Sequence, residues 1–473
     1  MSTFGGLSIA YTGLAAARAG IDIVGQNIAN ANTEGYTRQR ISTAANPALA
    51  GIGPLDTAFR GGTGVSVTAI ERLSNALLDA RVRATAAASG YADVTSAAMD
   101  AIELAVNEPS DTGVAASLQD FWAAWQGVSN RAGDPSASGV LLEAGTSLSA
   151  RIAQGYGDLV DQWSGMRAAA GDLVAQANAL ASQVAALNDQ VRQVTAAGGS
   201  PNEILDQRAQ LTARLASLTG ATVVDRSDGS ADVMVGGTAL VSGSSARTLV
   251  IAGATAMGDA NADPVRIEWS HRPGEPVGVS GGQLAAAVSV LGPATATSGG
   301  SILRAAETFN ALATQIATAV NTVHATGSTP SGTTGLAFFS LAAGTPAALG
   351  LRVIPTDSSG IAAGTPGAGA GSGGTADAIA AIGLSTTGPD AAWSRFVVSI
   401  GIETRTATDQ ASITTLSASS ALSRQLSESA VDLDEETTQL MTYQHAYQGA
   451  ARVMTAIDEM LDVLINRTGL VGR

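Results

Sequence analysis

An unbroken seven-residue series of apolar side chains, Ile152, Leu159, Met166, Leu173, Leu180, Leu187 and Val194, constrains this chain more than any other feature. A second row follows four residues behind it through Tyr156, Trp163, Ala170, Ala177, Val184 and Val191. Side chains at that spacing share one face of an α-helix and need other elements to cover them. At ~1.5 Å per residue the helix runs roughly 60 Å, far beyond the ~11-residue average. Gly155, Gly157, Gly165 and Gly171 cost about 1 kcal/mol each in a helix interior, so its first half is open to a break.

The two ends of the chain carry the same geometry. Leu7, Leu14, Ile21 and Ile28 recur every seven residues, with Ala10, Ala17, Val24 and Ala31 at the complementary positions three further on. Near the other end Leu440, Tyr447, Met454 and Leu461 recur in the same way, accompanied by Tyr443, Ala450, Ile457 and Leu464. Each stripe is a coiled-coil seam that wants a partner. Residues 69–106, 301–324 and 392–429 also read as helices. Between 220 and 281 the period falls to two. Val223, Val233 and Val235 flank the Asp228-Gly229 turn, and Val265, Ile267 and Trp269 alternate with Arg266, Glu268 and Ser270, as strands do.

The predicted fold is mainly α: an elongated long-helix bundle with the N- and C-terminal helices paired as a coiled coil, plus a small β-rich insert. Residues 1–35 with 430–473 form the terminal coiled-coil domain. The bundle domain takes 36–220, 281–326 and 390–429, the β-rich insert 221–280, and a short outer, partly flexible insert 327–389. The glycine-rich run at 364–374 gives that last segment its loop composition. Both inserts lie between helices and should project from the bundle.

Composition removes most chemistries. The 473 residues hold 40 acids against 25 bases, all of them arginine, for a net charge of −15. Without a basic cluster there is no electrostatic footprint for nucleic acid or an anionic membrane. The absence of cysteine excludes disulfides, thiolate metal sites and thiol nucleophiles. His271, His324 and His445 are scattered without a carboxylate or second imidazole at ligand spacing, and read as packed or surface side chains. The glycines at 61–64 and 364–374 lack the Lys-Ser/Thr of a phosphate loop. No catalytic, cofactor or metal site is therefore assigned. No basic leader with a compact apolar core opens the sequence, and no run of ~18 uninterrupted apolar residues occurs in it.

Two motifs remain. Asn27-Ile-Ala-Asn-Ala-Asn-Thr-Glu-Gly-Tyr36 has the chemistry of a helix stop, since Asn27, Asn30, Asn32 and Gly35 tolerate left-handed backbone and satisfy loose carbonyls. Asp432, Asp434, Glu435 and Glu436 fall in the first turn of the last helix, where carboxylates meet the positive end of the dipole. As a whole, the string ending at Tyr36 resembles the N-terminal signature of the bacterial flagellar axial proteins of rod, hook and hook-associated type. The C-terminal segments 431–436, 439–453 and 460–466 resemble the last helix of the same family. The Asp-Leu-Asp-Glu-Glu box with Ala450-Ala-Arg-Val453 is closer to the hook-associated branch than to hook or rod subunits. Asp134-Pro-Ser-Ala-Ser138, Val223-Val-Asp225, residues 319–327 and Phe338-Phe339 are similar to the body of that branch, while the outer region is shorter than in its long members.

The resemblance implies a structural adapter joining hook to filament by helical self-assembly. Its partners would be copies of itself, hook protein, the next hook-associated protein, and an export chaperone on the C-terminal helix. It also implies export by the flagellar type III apparatus without a cleaved signal peptide, and an extracellular place in the flagellum. A hook or distal-rod subunit is the nearest alternative. A free coiled-coil adhesin and an enzyme working through His271 and Asp263 are the more distant ones. Because the terminal seams would be completed partly by assembly, roughly the first 35 and last 40 residues should be poorly ordered in the free chain.

Overall fold

The computed structural model describes residues 3–47, 62–294, 299–369, 371–463 and 465. The chain opens with helix α1 (Thr3–Ala29), followed by an antiparallel hairpin of β1 (Gln39–Ala45) and β2 (Val65–Arg72). Helices α2 (Ala76–Val106), α3 (Val114–Asn130), α4 (Pro135–Ala196) and α5 (Asn202–Thr219) come next. The helix expected from residue 69 thus begins later. Residues 69–72 pair with β1 instead, and the Asn75 side chain caps α2 by accepting from the amides of Leu77 and Leu78.

Helix α4 runs 62 residues with no break at the glycines of its first half, about 93 Å at the helical rise and longer than the roughly 60 Å the apolar rows span. Asp134 caps it, accepting from Ser136 N–H at 2.9 Å, and Pro135 occupies its first turn. Gly155 is not a weak point but a socket: a Cβ there would lie 2.5 Å from the Phe309 ring. Close packing offsets the propensity cost. Of the two heptad rows the companion row is the deeper one, with Tyr156, Trp163, Ala170, Ala177, Val184 and Val191 all buried.

The long helix serves two cores. Its second half packs Val174, Ala177, Ala181 and Val184 against α5 and the β-rich insert. That insert is a sheet of β3 (Thr222–Asp225), β4 (Ala231–Val235), β5 (Thr238–Ser242) and β6 (Ser245–Ala246), and a second of β7 (Leu249–Ala252), β8 (Arg266–Trp269) and β9 (Arg272–Pro276). Asparagines on α4 peg both sheets to the helix. Asn188, fully buried, donates to Ala231 O and Gly243 O at 2.7 Å and accepts from Ala231 N–H at 3.0 Å. Asn178 exchanges the same pair of bonds with Leu249.

The first half of α4 packs Leu141, Leu148, Ile152 and Leu159 with α2, α3 and the helices that follow, α6 (Gly282–Val290) and α7 (Ser301–His324). The expected outer, partly flexible insert belongs to this core. It contains β10 (Phe339–Leu341), α8 (Ala347–Gly350), β11 (Leu351–Val353) and α9 (Gly374–Ala380). The Phe338 ring lies tilted 5.0 Å from Trp125, and Phe339 lies 5.5 Å from Phe121. The glycines that suggested a loop permit close approach: a Cβ on Gly373 would meet Ser129 O at 2.3 Å. Helix α10 (Pro389–Ser429) then runs back along α2, its start fixed by two indole–carboxylate bonds, Trp122 to Asp390 (2.8 Å) and Trp393 to Glu108 (3.0 Å). Helix α11 (Leu433–Asp462) returns antiparallel to α1.

Candidate assembly interface

Helices α1 and α11 meet along a seam displaced by one residue from the apolar row. On α1, Gly6, Gly13, Gly20 and Asn27 recur every seven residues and face Ile457, Ala450, Tyr443 and Glu436, which recur every seven on α11. A Cβ on Gly6 would stand 3.1 Å from Ile457, on Gly13 3.9 Å from Ala450, and on Gly20 2.6 Å from the Tyr443 ring. At Gly20 the approach leaves no room for a side chain, at Gly6 it is tight, and at Gly13 it is an ordinary van der Waals distance. The larger side chains are pushed to the flanks: Leu7, Leu14, Ile21 and Ile28 are half-buried, while Ala10, Ala17 and Val24 are buried beside the seam. On α11, Leu440, Tyr443, Met454 and Leu461 are half-buried and Ile457 is buried. Tyr447 stands at the rim, 38% exposed, instead of in the packed position its spacing suggested. Leu464 lies outside the described residues.

The fourth layer of the seam is polar. Asn27 and Glu436 are each only 1% exposed. The Asn27 amide donates to Gln39 O at 2.8 Å and to Glu436 Oε2 at 3.0 Å, and its oxygen accepts from Gln39 N–H at 3.0 Å and the Tyr36 hydroxyl at 2.9 Å. All four hydrogen-bonding positions of the carboxamide are used. Arg38 Nε donates to Glu436 Oε1 at 2.6 Å, and its NH1 pairs with Glu435. Burial opposes the Arg38 charge, but the bonds to Glu435 and Glu436 outweigh it and raise its pKa. Burial, with Glu203, Asp206 and Glu436 nearby, pushes the Tyr36 hydroxyl up to about 12, so it stays a donor.

The same strap of residues ties the terminal pair to α5. Thr37 N–H donates to Asp206 Oδ2 at 3.0 Å and Arg72 Nε to Asp206 Oδ1 at 2.8 Å. Gln39 Nε2 and Gln26 Nε2 converge on Glu203 Oε1 at 3.0 and 2.6 Å. Gly35 has φ +75°, and Gln210, which donates to Glu34 O at 2.6 Å, fills the space a side chain would need. Asn30 bonds back to Gln26 O at 3.0 Å and closes the helix, while Asn32 is exposed in the turn. Asp432 is the N-cap of α11, accepting from the amides of Asp434 (2.9 Å) and Glu435 (3.3 Å).

Sequence reasoning placed the motif residues but not their partners Arg38, Gln39, Glu203 and Asp206, and it gave Glu436 a capping role only. The signal was available in the heptad that continues Gly6, Gly13 and Gly20 into Asn27. Among the described residues no group of three acidic or histidine side chains could hold a metal ion. By length and composition alone α1 could cross a membrane, with a mean hydropathy of 1.3 over its best window, a feature that a search for uninterrupted apolar runs passes over.

The terminal segments match two models of one broad class, the flagella basal body rod protein over residues 7–37 and the flagellar basal body rod FlgEFG protein C-terminal region over 422–467. Between these rod-type ends the model of the flagellar hook-associated protein FlgK helical domain matches residues 99–339. That is just over half of the chain, which therefore belongs to the FlgK family of flagellar hook-associated proteins, structural components of the bacterial flagellum. The flagellar hook-associated protein 1 of Bacillus subtilis is 29% identical over 511 aligned positions spanning 100% of both chains. That of Escherichia coli is 31% identical over 344 positions, 72% of this chain and 60% of the relative. The structure of the flagellar hook junction protein FlgK from Burkholderia pseudomallei shares the fold, with a TM-score of 0.63 at 16% identity over 73% of this chain and 99% of that one.

Proposed function

We propose that this chain is an adapter subunit at the junction of hook and filament, built into the flagellum by helical self-assembly through its terminal helix pair. The observation that carries the reading is an imbalance within that pair. Its own seam is closed by glycines and a saturated polar layer, yet Phe4 (68% exposed), Tyr11 (64%), Met441 (59%), Met460 (52%) and Val453 (51%) remain on the outside. Fully burying a large apolar side chain contributes about 1.5–3 kcal/mol, so such a pair gains by packing against copies of itself. Contacts repeated with a rotation that does not close give a helical array.

In this reading the partners are further copies, hook protein on one side and the next hook-associated protein on the other. Before assembly a chaperone covers α11, and the chain leaves the cell through the flagellar type III apparatus without a cleaved signal peptide. Its work is mechanical, with no catalysis and no cofactor. The buried His324 fits that role, since its Nδ1 bonds Leu336 O at 2.8 Å and its Nε2 accepts from Ala362 N–H at 2.9 Å, leaving no nitrogen for chemistry. Electron microscopy of a strain lacking the chain tests the reading. Hooks that carry no filament are expected. Cells without hooks would turn the reading towards a hook or rod subunit, and normal filaments would end it.

A further inference from the structure

We propose that the layer of Asn27, Glu436 and Arg38 sets the register of the terminal helix pair, excluding a one-heptad slip that the glycine seam by itself admits. The inference rests on the terminal pair being the assembly element, and its test reads pairing within the free chain, so failure of either is told apart.

In the native register Gly6, Gly13, Gly20 and Asn27 face Ile457, Ala450, Tyr443 and Glu436. Drawing α11 outward by seven residues moves it about 10 Å along α1. Gly6 would then face Ala450, Gly13 would face Tyr443 and Gly20 would face Glu436. Ala450, Tyr443 and Glu436 each still meet a glycine, so sterics permit the slip, while Ile457 passes beyond Gly6 and leaves the seam. The connection permits it as well. Residues 430–432 are already non-helical, so the length comes from unwinding the last turn of α10 (426–429) and the first residues of α11 (433–435), which pass from ~1.5 to ~3.3 Å per residue and leave Glu436 in the helix. A slip in the opposite direction is blocked, because it sets the Tyr443 ring against Asn27.

Hydrogen bonding opposes the permitted slip. Opposite Gly20, the Glu436 carboxylate loses the Asn27 donor at 3.0 Å and the Arg38 donor at 2.6 Å. Arg38 N–H also bonds Ser429 O at 2.9 Å, at the point where the chain would have to straighten. A buried carboxylate left without donors costs more than any other loss in the seam. A single polar position fixes the register of a coiled coil by the same means.

The chain contains no cysteine, so introduced pairs report register directly. Gly13→Cys with Ala450→Cys reads the native register, because the two Cβ positions lie 3.9 Å apart, within the ~3.5–4.5 Å of a disulfide. Gly6→Cys with Ala450→Cys reads the slipped one. With the layer intact, the native pair oxidises and the slipped pair does not. In the Asn27→Ala/Glu436→Ala background the slipped crosslink should rise about tenfold or more, the change produced by losing one buried contact, at the expense of the native one. Glu436→Gln keeps the shape but only one acceptor, for Arg38 or for Asn27 and not both, so its slipped yield should lie between those of the wild type and the alanine variant. A slipped yield unchanged by the double alanine variant would overturn the proposal, as would a Gln variant that slips as freely as alanine. Loss of both crosslinks would also overturn it, because the layer would then hold the helices together without choosing their register.

Discussion

In the central body the largest side chains lie deepest: Trp125, Trp163, Trp393, Phe121 and Phe309 are all essentially inaccessible. In the terminal pair the buried positions are mostly small or polar, Ala10, Ala16, Ala17, Gly20, Asn27 and Glu436, joined by Ile23, Val24 and Ile457, while Phe4 and Tyr11 face outward. The body takes its stability from buried area, most of it in one cluster shared by α2, α3, α4, α7, α10 and residues 338–379. The pair takes more of its stability from close fit, and it leaves Phe4, Tyr11, Met441, Val453 and Met460 free for contacts beyond the monomer. The difference teaches that one chain can hold a finished domain and an unfinished one, and that side-chain size at the contact tells them apart.

The sharpest way to break that contrast is to remove area from the body. Phe309 fills the Gly155 socket and lies 5.0 Å from Trp393. Phe309→Ala should cost about 3–5 kcal/mol of global stability, read from urea denaturation. A loss below about 1 kcal/mol would mean the body does not depend on its aromatic core.

The corresponding test of the pair adds volume. Gly20→Ala gains up to about 1 kcal/mol of helix propensity, but its Cβ would stand 2.6 Å from the Tyr443 ring. Overpacking of that kind costs about 1–3 kcal/mol, so the clash wins. Hydrogen exchange should quicken along α1 and α11 and stay unchanged along α3 and α4. Uniform quickening would show that the two regions form one cooperative unit. The wild-type protein in the same experiment addresses the expectation of poorly ordered ends: strong protection at Ile21, Val453 and Leu461 in the monomer would count against it.

The presence of an exceptionally long α4, the strands around Asp228-Gly229 and the pairing of the two ends could be read from the sequence, because periodicity reports which face is covered. The apolar rows underestimate the length of α4, at roughly 60 Å against about 93 Å, because the helix starts at Pro135, ahead of them. The Gly6, Gly13, Gly20 row could not be found by searching for apolar residues, since the closest contact is made where a side chain is missing. Three asparagines are passed over in a related way. Apolar periodicity says nothing of Asn178, Asn188 and Asn321, yet each holds a piece of strand by its carboxamide; Asn321 accepts from the amides of Phe338 and Phe339 at 2.8 and 2.9 Å and donates to Phe339 O at 2.8 Å. Glycine-rich composition around 364–374 suggested a flexible loop, whereas part of the run lets the backbone of Gly364 pair with Ser328 at 2.8 and 3.0 Å. Composition reports freedom in the unfolded chain, and tertiary contact decides whether that freedom is kept.

The smallest expected effect concerns how residues 327–389 stay attached to the body. His324 is fully buried and holds the segment at two points, donating from Nδ1 to Leu336 O and accepting at Nε2 from Ala362 N–H. The acceptor role at Nε2 requires a neutral ring with its proton on Nδ1. Burial pushes its pKa below the usual 6.5, more than the bond to Leu336 restores. The unfolded chain therefore takes up a proton more readily than the folded one. The contribution of His324 is complete above about pH 6.5 and is lost as the pH falls from there towards the depressed folded value. For one proton the slope cannot exceed about 1.4 kcal/mol per pH unit. Urea denaturation between pH 7.5 and 5 should show stability falling on the acid side, and His324→Gln should flatten that fall from a lower starting value. An equally steep fall in the variant would assign the pH dependence to other groups and leave His324 as a plain packing residue.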